Sequence, residues 1–211
     1  MTLQASRIKH LNTVPPAHGE MVVYWMQQSQ RAEQNHALEY AIDQANSQGK
    51  MVLVLFALTD DYPDANLRHY TFMLEGLKET KKQLASRGIQ MIVRHGHPVD
   101  LVLALGRDAA MIVCDRGYLR HQRSWRSAIA QNARCKVVQV ESDVVVPIEQ
   151  VSDKAEYAAY TIRPKINRQL ATYLKDLAPR RVLHPSLSVS IEGIELDNVQ
   201  TVLAKLKIDR G

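Results

Sequence analysis

The chain is poor in cysteine, with two in 211 residues, Cys114 and Cys135. Both stand beside β-branched runs, a setting in which small thiols are buried rather than paired, so neither a disulfide framework nor a structural zinc site is expected. Long apolar runs are absent as well. The longest stretches, such as 51–58, fall far short of the roughly 20 residues that span a bilayer, and the N-terminus lacks the apolar core of a signal peptide. The expectation is a cytoplasmic protein without a bound metal. Glycine is sparse, nine in all, and none falls into a GxGxxG turn, a GxxxxGK[ST] loop or a GxSxG elbow. These absences argue against a dinucleotide fingerprint, a kinase-type phosphate cradle and the common α/β hydrolase.

What is present is an ordinary globular composition. Apolar residues make up 45% of the chain, enough for a substantial core. Its 27 basic against 22 acidic residues give a net charge of +5, which tolerates a phosphate-rich partner without requiring one. Residues 1–20 carry Pro15-Pro16 and His18-Gly19 without periodicity and read as an arm. From Met21 a regular alternation begins. Apolar, β-branched runs at 21–26, 51–58, 89–93, 111–114 and 136–140 read as strands buried on both faces. Between them, three- and four-residue apolar spacing predicts helices over 33–47, 67–87, 98–105 and 119–131. Strand, helix and strand at this spacing make parallel, right-handed crossovers. The fold class predicted is therefore α/β: a doubly wound, Rossmann-like sheet of five parallel strands with helices on both faces, spanning 21–150. Beyond Val146-Pro147 the alternation stops. Residues 151–211 are read as a helical extension, with one helical segment over 153–173 interrupted at Arg163-Pro164 and a last short helix at 199–206.

Ligands of an open parallel sheet bind at the carboxyl ends of its strands. That singles out the loops after 21–26, 51–58, 89–93 and 111–114. Asp115 ends a buried strand at this edge, where a carboxylate can accept hydrogen bonds from a bound ring or cap the next helix. His95 and His97 flank Gly96 and point apart, as solvated loop histidines rather than a metal pair. Arg116, Arg120, Arg123 and Arg126 recur at three- and four-residue spacing beside Trp125. That stripe is either a solvated helix face or a contact for a phosphate backbone or an acidic partner.

Particular words in the sequence are more specific. Val23-Tyr24-Trp25-Met26-Gln27, then Gln30-Arg31 and Asn35 with Ala37-Leu38, open the α/β region. Arg68-His69-Tyr70 and Phe72-Met73-Leu74-Glu75-Gly76-Leu77 follow, and then Ser152-Asp153-Lys154, Glu156-Tyr157-Ala158-Ala159 and Thr161-Ile162-Arg163-Pro164-Lys165-Ile166. In order and spacing, over roughly residues 20–170, this set resembles the N-terminal domain of class II cyclobutane pyrimidine dimer photolyases, light-dependent DNA-repair lyases.

The resemblance implies an α/β domain that holds a light-harvesting antenna, joined to a helical domain holding the catalytic FAD. Residues 151–211 would then lead toward that FAD-binding domain, and the chain alone is expected to be catalytically inactive. It also implies an antenna of the 8-hydroxy-5-deazaflavin type near Trp25, Met26, Gln27, Phe56, Leu58, Asp115 and Tyr118. Trp25 and Phe56 could stack on its ring or simply pack in the core. The implied partners are the FAD-binding domain, in the same or a separate chain, and DNA only weakly. An exposed interdomain face could also support a homodimer. The other reading of the residues is a stand-alone Rossmann-like nucleotide-binding or interaction protein, whose mark would be the glycine-rich loop that is missing.

Overall fold

A computed structural model describes residues 3–211. Six strands form one sheet: β1 (Ile8–His10), β2 (Met21–Met26), β3 (Met51–Leu58), β4 (Gln90–His95), β5 (Ala109–Asp115) and β6 (Lys136–Val140). Their order is β1-β6-β5-β2-β3-β4, parallel throughout except for β1, which runs antiparallel to β6. The helices are α1 (His36–Ser47), α2 (Leu67–Ser86), α3 (Pro98–Gly106), α4 (Arg120–Asn132), α5 (Ile148–Val151), α6 (Ala159–Asn167), α7 (Leu170–Tyr173) and α8 (Val199–Lys205). None is long and apolar enough to cross a membrane.

The strands alternate strictly between two cores. Val22, Tyr24, Met26, Val54 and Leu58 pack with Leu38 and Ile42 of α1 and Leu74 and Leu77 of α2. Val23, Trp25, Leu53, Leu55, Ile112 and Cys114 face the other way, onto Val102 and Leu105 of α3 and Ile129 of α4. Both faces of each strand need apolar side chains, which is why these runs are continuous rather than alternating. The two thiols are buried and unpaired, and burial pushes Cys114 up to about 12 and Cys135 up to about 11.

Two expectations are corrected. The arm is not featureless, because β1 lies within it and adds a sixth strand at the edge. Its three residues include Lys9 and His10, too short and polar to show a period, and its place is set by its neighbour Arg7. That buried guanidinium donates to the carbonyls of Glu141, Val144 and Val145 at 3.1, 2.9 and 2.5 Å. The second correction concerns Pro164, which lies inside α6 instead of interrupting it, while 153–158 is irregular. The missing N–H would have served the carbonyl of Tyr160, and Tyr160 is exposed, so water can take its place.

The tail returns to the domain. Glu39 on α1, buried, accepts from Arg87 at 2.7 Å and from the Arg180 backbone at 2.5 Å. Ser186 bonds the backbone of Gly88 and Gln90, and the Ile194 N–H donates to the Val93 carbonyl at 2.7 Å, covering part of the open edge of β4. Leu196, Val199, Val202, Leu203 and Leu206 then enter the core over α2. Finally, the Lys207 N–H donates to Asp60 at 3.1 Å and the Leu67 N–H to the Asp209 carbonyl at 2.7 Å. The end of the chain thereby holds both ends of the loop between β3 and α2.

Candidate functional site

Strand β2 lies in the middle of the sheet, with β3 on one side and β5 on the other, so the chain's direction of travel across the sheet reverses there. Loops leaving the carboxyl ends of strands at such a reversal diverge and leave a crevice. Asp115, the last residue of β5, shapes it. Its carboxylate is 1% exposed and accepts the backbone N–H groups of Gln27, Gln28 and Ser29 at 2.9, 2.8 and 3.0 Å and the Tyr24 hydroxyl at 2.8 Å. Burial raises the Asp115 carboxyl above the ordinary range, and these four donors pull against that rise. Asn35, the N-cap of α1, completes the network by donating to the Tyr24 hydroxyl at 3.0 Å and accepting from the Leu38 N–H at 3.0 Å. The loop after β2 is therefore tied at three successive amides.

Beside this loop is a cavity of about 650 Å³, within the usual size range of small-molecule sites. Its floor is Trp25, Met26 and Gln27 at the end of β2, with Phe56 and Leu58 at the end of β3. Its walls come from the β3–α2 loop through Tyr62, from α2 through Met73, and from α4 through Gln122 and Trp125. Phe72, 82% exposed, extends the apolar wall outward from α2. Tyr62 stacks edge-on against His121, with ring centroids 4.7 Å apart, and His121 against Trp125 at 5.0 Å. Gln27 contributes an amide whose buried Nε2 and Oε1 have no hydrogen-bond partner among the described residues. A buried amide left so is costly unless another molecule satisfies it.

Of the seven residues singled out from the sequence, five line this cavity: Trp25, Met26, Gln27, Phe56 and Leu58. Asp115 and Tyr118 do not. The Asp115 carboxylate is spent on the loop, so it neither caps the following helix nor faces the cavity. The Tyr118 hydroxyl donates to Glu141 at 2.5 Å, on the side of β6. Tyr62, Gln122 and Trp125 were not foreseen as lining residues, because they come from a loop and a helix whose approach to β2 is set by packing. The arginine stripe does not form one face. Arg126 is buried and donates to Gln139 at 3.0 Å, Arg116 pairs with Glu141 and Glu149 at 3.1 and 2.9 Å, and only Arg120 and Arg123 are exposed. His95 pairs with Asp60 at 3.2 Å, and His97 lies 3.8 Å from Asp100.

The DNA photolyase family model matches residues 22–184, from β2 through the crevice loops and α6. The chain belongs to the DNA photolyase family. The deoxyribodipyrimidine photo-lyase of Methanothermobacter thermautotrophicus is 46% identical over 188 residues, covering 89% of this chain and 42% of that protein. That of Potorous tridactylus is 34% identical over 193 residues, covering 89% of this chain and 36% of that protein. The photolyase domain described here thus spans about two fifths of the length of its curated relatives. The archaeal photolyase of Sulfolobus tokodaii shares the fold at a TM-score of 0.67 and 16% identity, over 89% of this chain and 42% of that one. A class III photolyase from Agrobacterium tumefaciens does so at the same score and identity, over 86% and 38%. At that identity the likeness concerns fold alone.

Proposed function

We propose that this chain is the antenna-binding α/β domain of a class II photolyase repairing cyclobutane pyrimidine dimers, and that the cavity at the ends of β2 and β3 holds the antenna. The observation that carries the reading is the cavity itself. It is apolar, of suitable volume, and built by the family-specific words around Trp25 and Met73. A flat heteroaromatic ring fits its chemistry, because Trp25 and Phe56 supply apolar contact and the Gln27 amide offers a donor and an acceptor together. We favour an 8-hydroxy-5-deazaflavin. FAD is the competing occupant, since the Sulfolobus tokodaii structure was described with two FAD molecules and the implication of a novel light-harvesting cofactor. An antenna supplies absorbed light energy; the protein's own residues bind it, fix its orientation and exclude water.

Repair itself belongs in this proposal to an FAD-binding domain, in the same or a separate chain. Tyr118, Leu119, Val145 and Ile148 are exposed around the ends of β5 and β6 and offer an apolar face for such a partner, or for a second copy of the domain. Titration of the purified protein with 8-hydroxy-5-deazariboflavin, followed by visible absorption, tests the pocket. A shifted bound band is expected, with affinity about tenfold weaker in Trp25→Ala, the equivalent of about 1.4 kcal/mol of ring contact. Absence of a bound band in the wild-type protein, with this probe and with FAD, would remove the antenna reading.

A further inference from the structure

The hydrogen bonds around Gln122 turn one hydroxyl proton in the cavity away from α4. The Gln122 side chain is 1% exposed, and its Oε1 accepts from the Leu119 backbone N–H at 3.1 Å and from Gln28 Nε2 at 3.1 Å. A backbone N–H can only donate, so the amide cannot be turned the other way round. Its Nε2 must then face Tyr62, whose Oη lies 2.8 Å away. An amide nitrogen can only donate, so the Tyr62 oxygen accepts and its own proton has to point elsewhere. No acceptor for that proton is found among the described residues, and both Tyr62 and Gln122 line the cavity. Gly117 leaves room for the amide in this position, since a Cβ there would sit 2.4 Å from Gln122 Oε1. The Tyr62 ring is held in turn by its edge-on contact with His121.

We infer that Tyr62 is a specificity-determining residue, a hydrogen-bond donor fixed in direction that selects ring ligands carrying an acceptor oxygen, either a ring carbonyl or an ionised ring hydroxyl, at that wall. The inference rests on the proposed cavity reading and adds to it the chemistry of the ligand edge facing the β3–α2 loop. Burial raises the Tyr62 phenol above its ordinary range, against the Gln122 contact, so the proton stays on the oxygen at neutral pH.

The test uses the full chain and two probes, 8-hydroxy-5-deazariboflavin and 5-deazariboflavin, with affinities read by absorption or fluorescence titration. Tyr62→Phe keeps the ring and its packing and removes the donor. It is expected to bind at least one probe about tenfold more weakly than wild type, the scale of one lost hydrogen bond. Loss for both probes assigns the acceptor to the carbonyls they share, and loss for the 8-hydroxy probe alone assigns it to the ring hydroxyl. In Gln122→Glu the carboxylate accepts the Tyr62 proton and turns it away from the ligand. A folded Gln122→Glu protein should therefore lose the same affinity although the tyrosine is intact, and adding Tyr62→Phe to it should cost no more, whereas a direct effect of the new charge alone would add to that of Tyr62→Phe. Wild-type affinity for both probes in Tyr62→Phe overturns this inference and leaves the cavity reading standing. Binding of neither probe, nor of FAD, by the wild-type protein overturns both.

Discussion

His36 opens α1 with a ring whose Nδ1 is buried without a partner. Burial lowers its pKa from the usual 6.5 to about 4, and the nearby charges of Arg7 and Arg31 push the same way. A proton there would also face the positive end of the helix dipole. Because the unfolded chain binds that proton at higher pH than the folded one, the folded state loses stability as pH falls from about 6.5 to about 4. Partial exposure limits the effect to the order of 2 kcal/mol. His36→Gln should flatten the dependence of the urea midpoint on pH across that window. An unchanged slope in the variant would locate the acid sensitivity elsewhere. Asp115 is the opposite case of a buried ionisable group, one supplied with four donors, which is why it can organise the crevice loop instead of a ligand.

At the scale of elements, the tail is part of the fold that frames the cavity. Helix α8 has only seven residues, marginal alone, and is stable because Val199, Val202 and Leu203 pack onto α2 while Asn198 caps its first turn. Leu203 is 1% exposed, so Leu203→Ala should cost about 2–4 kcal/mol in chemical denaturation. Leu174→Ala, at a side chain 66% exposed, should stay within about 0.5 kcal/mol. Equal effects would mean that the tail does not contribute to the cooperative unit. Since residues 207–209 hold both ends of the β3–α2 loop, weakening α8 should also loosen the wall that carries Tyr62.

For the whole molecule, a formal charge of +5 is offset locally wherever arginines meet acids, and two of the four stripe arginines are drawn inward. DNA affinity of this chain alone is accordingly proposed to be weak and governed by counterion release. Fluorescence anisotropy with a short duplex should give binding that fades steeply with added salt; tight, salt-insensitive binding would show a specific DNA site on this domain. The five parallel strands were legible in the sequence because a strand buried on both faces needs an unbroken apolar run, and helices α1 to α4 because burial on one side imposes their spacing. Strand ends located the ligand edge at the loops after β2 and β3, and the resemblance to a known family pointed to Trp25, Met26, Gln27, Phe56 and Leu58, which form the cavity floor. Only the tertiary structure decided the rest. The edge strand at Ile8–His10 depends on a guanidinium that reaches carbonyls more than 130 residues away. Asp115 turned toward three amides of a neighbouring loop, and Tyr62 was oriented by Gln122 from another helix. Those are contacts between side chains and backbone far apart in the chain, and no local period encodes them.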